Sequence, residues 1–180
     1  MEFGQVEEKS MLRHIVSWMK DIALVISLAL FLVYAFGTQV NVVGQSMTPF
    51  LNSEDIVLMD RVSYQFFDPK RFDVVAFDKG DGKLNIKRVI GLPGETVQIC
   101  EGKIYIDGEV LDADKDMVDV PLPGLAKIPI ELGEEQYFLL GDNRTCSEDS
   151  RFTDVGNVDR KQLKGKIWLK IFPFFDIKWI

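Results

Sequence analysis

Between Asp21 and Glu54 run 32 residues, Ile22 to Ser53, without one charged side chain. The first 15 of them, Ile22 to Phe36, are apolar apart from a single serine. A helix rises about 1.5 Å per residue, so those residues alone fall short of a hydrocarbon layer of about 30 Å. Uncharged residues onward to Val43 make up the deficit, and Trp18 and Tyr34 sit where interfacial aromatics are expected. The expectation is a transmembrane anchor over 22–40 preceded by a short segment, 1–21. Lys9, Arg13 and Lys20 come before the run and the first basic residue after it is Arg61. The positive-inside rule then leaves the N-terminus in the cytoplasm and the rest of the chain outside. A cleavable signal peptide competes with the anchor, because 15 residues is the upper limit of its apolar region and Ala35-Phe36-Gly37 resembles a small-x-small cleavage site.

The rest is one domain's worth of chain in a protein of 180 residues, 47% hydrophobic and 27% charged. With 21 Lys+Arg against 28 Asp+Glu and no dense basic cluster, it lacks the cations that would grip nucleic acid through its phosphates. One histidine, His14, and two cysteines 46 positions apart, Cys100 and Cys146, do not make a zinc site, and no cofactor is expected. Whether the cysteines pair is open, since a disulfide needs a Cα separation that sequence does not supply.

Past the anchor, short β-branched or aromatic runs alternate with turn residues: 55–61, 72–78, 84–90, 96–100, 103–106, 136–140 and 166–171. Lys79-Gly80-Asp81-Gly82, Glu101-Gly102 and Asp107-Gly108 are hairpin signals, and Pro121 to Pro129 reads as an extended loop. No helical period appears beyond the first 40 residues. The fold expected is mainly β, an antiparallel catalytic core over 41–95 and 136–180 on one N-terminal transmembrane helix, with a small β subdomain inserted at 96–135. Phe172-Pro173-Phe174-Phe175 reads first as buried edge-strand packing, with contact to lipid as the alternative.

A Ser-His-Asp or Cys-His hydrolase needs an imidazole, and the external domain has none, so a general base there must be lysine, a carboxylate or tyrosine. Ser46 lies in Val43-Gly44-Gln45-Ser46-Met47-Thr48-Pro49, on irregular backbone just past the anchor. Read alone, it is equally a turn serine. Lys87 lies in a strand among Ile86, Val89 and Ile90, where desolvation can lower an amine's pKa and make it a base. The plain alternative is a solvated lysine paired with a carboxylate. Gly141 to Arg151, GDNRTCSEDSR, is rich in groups that hydrogen-bond their own backbone, as any well-tied surface loop is.

Together the three segments resemble the boxes of bacterial type I signal peptidases, membrane-bound serine proteases with a Ser-Lys dyad. They are Gly-x-Ser-Met-x-Pro around Ser46, Lys-Arg-Val-Ile-Gly-Leu-Pro-Gly-Glu from Lys87, and Gly-Asp-Asn-Arg-x-x-Ser-x-Asp-Ser-Arg from Gly141, in the family's order. One membrane segment at this length resembles the compact Gram-positive form and implies an anchor that stays attached. The resemblance implies Ser46 as nucleophile and Lys87 as general base, with Ser147 orienting the lysine amine. It implies an Asp149–Arg151 ion pair bracing the site, and Asp142 and Arg144 as further support. The oxyanion would be held by the Ser46 backbone N–H with a contribution from position 44, where Gly44 replaces the serine of the Gram-negative form and leaves the second donor open. Phe50 also departs from the pattern, which usually has threonine there, and is expected to affect packing. The implied substrates are exported preproteins, bound as an added β-strand and cut after small residues at −1 and −3, in pockets lined by Val42, Val43, Met47, Leu51 and Ile86. Those five residues are equally candidates for ordinary core. The implied enzyme is a monomer in the lipid bilayer. Two rivals remain: a self-cleaving domain of the SOS-repressor type, which has neither anchor nor the Gly-Asp-Asn-Arg box, and a non-catalytic, membrane-tethered β binding module.

Overall fold

In a computed structural model, which describes residues 3–111 and 119–180, the apolar run lies within one long helix, α1 (Phe3–Phe36). Its segment Arg13–Phe36, 24 residues, is long and apolar enough to cross a membrane. The helix stops short of the expected boundary at 40. Gly37 N–H closes the last turn on the Val33 carbonyl at 2.8 Å, and Thr38–Asn41 is already strand β1. A span begun at Ile22 requires residues beyond 36, whereas the helix finds that length on its N-terminal side.

After β1 come β2 (Ile56–Asp60), a one-turn helix α2 (Ser63–Phe66), β3 (Val74–Asp78) and β4 (Leu84–Gly91). The inserted segment supplies β5 (Thr96–Cys100), β6 (Lys103–Ile106), β7 (Glu109–Val110) and β8 (Ile130–Glu131), and its positions 112–118 lie outside the described residues. The chain then returns through β9 (Gln136–Leu140), β10 (Val158–Asp159), β11 (Leu163–Phe172) and β12 (Lys178–Trp179). The main sheet runs β1-β2-β11-β3-β4-β9-β10 with β12 paired to β11, and the insertion forms its own sheet, β7-β6-β5-β8. The Pro121–Pro129 stretch, expected to be extended throughout, makes one 3-10 turn at Gly124–Lys127.

Period-two alternation sorts the central strands between two cores. Val74, Ala76 and Ile86 join Val40, Val42, Met47, Leu51, Val57, Met59 and Ile167 on one face. Val75, Phe77 and Val89 join Tyr137, Leu139 and Val158 on the other. A third cluster, including Ile90, Val97, Ile104, Phe138 and Leu140, packs the inserted sheet against the main one.

The sheet is fastened to the end of α1. Arg61 N–H donates to the Ala35 carbonyl at 2.9 Å. The β2–β11 register slips between Ile167 and Leu169, which leaves Trp168 as the bulged residue, and its Nε1 donates to the Phe36 carbonyl at 2.8 Å. A bulge re-aims a side chain, and here it satisfies a carbonyl that the helix terminus leaves open.

The C-terminal aromatics do not pack as a buried edge: Phe174, Phe175 and Trp179 are 77%, 92% and 76% exposed. The cause lies in β11, where the fully buried Lys170 binds Asp55 and Asp176, each at 2.7 Å. Tying Asp176 inward leaves the preceding phenylalanines pointing out. Cys100 and Cys146 are both exposed free thiols.

Candidate active site

Ser46 sits on a turn fixed at both ends. Gly44 before it has φ +87°, a left-handed backbone that favours glycine although a Cβ there would meet nothing within 4 Å. After it, Leu51 N–H returns to the Met47 carbonyl at 2.8 Å, and the side chains of Met47 and Leu51 are buried in the core. The Ser46 carbonyl accepts the Asn143 N–H at 3.0 Å, while the Asn143 carboxamide donates to the Gln45 carbonyl at 3.1 Å. The Ser46 N–H itself takes no backbone acceptor among the described residues. The serine is half-buried, within reach of a ligand.

Gly141 is where the three sequence boxes meet. A Cβ there would lie 2.5 Å from the Ser46 carbonyl oxygen and 2.2 Å from Ser147 Oγ, so only glycine allows both segments this close. On its other flank, the β4–β9 register pairs Arg88 with Leu140, which brings Lys87 alongside Gly141 one step further on. Ser147 Oγ is buried against Gly141 and makes no hydrogen bond. The Ser147 contact to the lysine amine that the resemblance implies is therefore not formed here.

Among the described residues two lysines are almost completely buried, and they are driven in opposite directions. Lys170, 1% exposed, is opposed by desolvation, but its hydrogen bonds to Asp176 and Asp55 outweigh that and hold its amine above the ordinary lysine value. Lys87, 4% exposed, makes no ion pair or side-chain hydrogen bond among the described residues. Burial pulls its pKa down to about 8, against weaker upward pulls from Asp149 and Glu148. An amine so placed is neutral in a large fraction of molecules at mildly alkaline pH and can accept a proton. The reading of Lys87 as a solvated, paired lysine fails.

The chain matches the family model "Signal peptidase, peptidase S26" over residues 15–172. The protein belongs to the signal peptidase S26 family. It is 34% identical over 137 residues to a probable signal peptidase I-2 of Synechocystis, a match covering 72% of this chain and 61% of that one. It is 33% identical to a signal peptidase I of Bacillus licheniformis over 89% of this chain and 90% of that one. Signal peptidase I S of Bacillus subtilis is 30% identical, with 96% and 97% covered.

The third signal peptidase box braces this centre. Arg151 and Asp149, both essentially inaccessible, form a two-pronged pair, Nε to Oδ1 at 2.7 Å and a terminal nitrogen to Oδ2 at 2.9 Å. Arg151 also donates to the carbonyls of Arg144 and Leu122. Asp149 Oδ2 accepts the Gly141 N–H at 3.1 Å, so the pair holds the meeting point. Arg144 is buried in the same loop. Asp142 forks with Arg88 at 2.7 and 2.6 Å, which ties the loop to the strand of Lys87. Arg88, Gly141 and Asn143 lie inside the boxes, but nothing in the sequence assigns them a role. The adjacency of Lys and Arg in the second box was the only signal for Arg88.

The pocket candidates divide. Val42, Met47, Leu51 and Ile86 are buried together in one core cluster, whereas Val43 is 87% exposed. Val43 lines a cleft of about 540 Å³ with Gln39, Asn41, Lys83, Leu84 and Asn85. One wall leads to Ser46 and the other to Lys87. Pairing of β4 with β9 covers only Arg88 onward, so that edge of Leu84–Lys87 carries no strand partner. No group of His, Cys, Asp and Glu among the described residues could hold a metal ion.

Proposed function

We propose that the protein removes signal peptides from exported preproteins, with Ser46 as nucleophile and Lys87 as general base. The observation that carries this reading is a buried, unpaired Lys87 amine on a strand packed beside the segment that presents Ser46. Ser46 Oγ attacks the scissile carbonyl and gives its proton to Lys87 Nζ. The Ser46 N–H, free of a backbone acceptor, faces the oxyanion. Lys87 then protonates the departing amine, leaving an ester on Ser46. Water attacks that ester and gives a proton to Lys87, which passes it to the departing Ser46 Oγ; the hydroxyl and the neutral amine are restored, and the cleaved peptide leaves as an acid that ionises in water. Hydrogen bonds in such sites tighten on substrate binding, which gives Ser147 its occasion to reach the amine.

An extended peptide fits the cleft by adding a strand along the unpartnered edge of Leu84–Lys87, opposite Asn41–Val43. The shallow floor over Val42, Met47, Leu51 and Ile86 suits small side chains at −1 and −3. Gly44 offers no hydroxyl, so the second oxyanion donor is backbone or absent. Asp142, Arg144, Asp149 and Arg151 hold the loop. One chain supplies every group, so the enzyme works as a monomer. With α1 as the anchor, the N-terminus is cytoplasmic and the cleft is outside.

The test is incubation of the detergent-solubilised protein with a labelled preprotein. We expect one cut after a small residue and none with Ser46→Ala. Cleavage that survives this change beyond a trace refutes the assignment, and uncut substrate with intact wild type favours a binding module.

The exposed Phe174, Phe175 and Trp179 follow a sheet fastened to the membrane end of α1, and we place them against lipid. In vesicles of brominated phospholipid, a variant keeping Trp179 as its sole tryptophan should lose much of its fluorescence. Unquenched emission would put this loop in water.

A further inference from the structure

Phe50 stands where the family resemblance implies threonine, and its surroundings give it a task beyond packing. Two cations approach its ring: Arg88 Cζ at 4.7 Å from the centroid and Lys178 Nζ at 4.7 Å. Arg88 is not free to move. Its Nε and one terminal nitrogen fork onto Asp142, and its other terminal nitrogen donates to the Phe72 carbonyl at 2.9 Å. Three of the five N–H groups of that guanidinium are thus held by acceptors on two other segments, which fixes the group and leaves its face for an aromatic ring.

The elements joined by this contact are those whose relative placement the chemistry depends on. Phe50 belongs to the turn that begins at Ser46, and Arg88 directly follows Lys87 on β4. Asp142, on the far side of Arg88, opens the loop that carries Ser147. Lys178 lies on β12, whose pairing with β11 places it at the end of the chain. A ring wanted only for its apolar area has the adjoining core available, yet Phe50 packs against that core only partly buried.

We propose that Phe50 is a positioning residue: its ring, stacked on Arg88, holds the Ser46 turn in register with Lys87, and Lys178 steadies the ring. The proposal rests on the Ser-Lys reading above. A chain with threonine at this position cannot make the contact, so the device belongs to sequences with an aromatic there. Displacement of a nucleophile from its base by a fraction of an ångström lowers the chemical step while leaving substrate binding nearly intact.

The experiment uses the full chain in detergent with a peptide substrate, and compares Phe50→Leu, Phe50→Trp, Lys178→Met and the double variant Phe50→Leu/Lys178→Met. Leucine keeps the apolar bulk and removes the π face, so kcat should fall about tenfold with KM held within about twofold. Tryptophan, the stronger cation acceptor, should restore kcat to within about twofold of wild type. Lys178→Met should cost about threefold in kcat, and the double variant should be no slower than Phe50→Leu, because both act through one ring. The proposal is overturned if Phe50→Trp is as slow as Phe50→Leu, if the loss lies in KM, or if the losses multiply in the double variant. Lys178→Met decides the matter should Phe50→Leu fail to fold. An active wild type with a fully active Phe50→Leu removes this inference alone, whereas an inactive wild type removes the Ser-Lys reading.

Discussion

On the proposed mechanism, Lys87→Met and Lys87→Arg should each reduce kcat/KM on the order of a thousandfold or more, because the general base is lost and a guanidinium cannot shed its proton to replace it. The same group sets the pH dependence. Burial holds the folded amine at about 8 against an ordinary 10.5, so log kcat/KM should climb with pH and level off near 8. The external domain has no histidine to bend the profile near 6.5. Stability carries the opposite face of this shift. Between 10.5 and about 8 the unfolded chain takes up a proton that the folded chain refuses, so stability falls as pH drops through that window. Below it both states are protonated and the penalty is constant, on the order of 3 kcal/mol. Lys87→Met removes the penalty and should melt above wild type at pH 7, with the difference vanishing above pH 10.5. A wild-type acidic limb far below 7, or a methionine variant that melts no higher than wild type, would contradict a buried neutral lysine.

Arg151→Ala should be the most damaging change to stability in the catalytic loop. It strips Asp149, fully inaccessible, of both prongs of its partner and leaves a buried carboxylate with backbone N–H groups alone. Breaking such a pair on one side costs about 3–5 kcal/mol, which in a protein of this size lowers the melting temperature by on the order of 10 °C. Activity should fall with it, since Asp149 also fixes Gly141. Arg151→Lys recovers little, because an ammonium cannot serve the Asp149 fork and the carbonyls of Arg144 and Leu122 together. Differential scanning of the purified variants measures the shift. Wild-type melting combined with dead activity would instead place Arg151 in the reaction.

What could be read in advance was whatever neighbouring residues decide among themselves. The longer strands announced themselves because Val74 to Phe77 is apolar enough to be buried on both faces, and because Ile86, Val89 and Ile90 flank Lys87 and Arg88 with β-branched residues. The sharp turns did so through glycines such as Gly80 and Gly102. The Asp149–Arg151 pair could be anticipated from the resemblance of its segment to the family's box, and the two-residue spacing is compatible with it. The strands that went unseen, β1, β7, β8, β10 and β12, are two to four residues long and take their identity from a partner strand. Two-residue β12 exists because β11 runs past it. Lys170 looked like any strand lysine, since Asp55 lies 115 positions away in sequence and Asp176 on the far side of a turn. Arg88 was seen beside Lys87 but not its fork with Asp142, 54 residues on. Phe50 was read as packing because an aromatic among apolar residues usually is that. The two cations that alter its meaning arrive from β4 and β12.

The last two carbonyls of α1 are both bonded to the catalytic sheet, Ala35 by Arg61 and Phe36 by Trp168. With no slack between helix and sheet, the β domain and α1 incline together. A helix longer than the local hydrocarbon layer tilts to fit it. In this molecule such a tilt swings the cleft through the same angle, lowering one rim toward the headgroups and lifting the other. On the proposed function, membrane thickness would thereby set the angle at which a tethered substrate meets Ser46, and lipid composition would become a variable of the reaction.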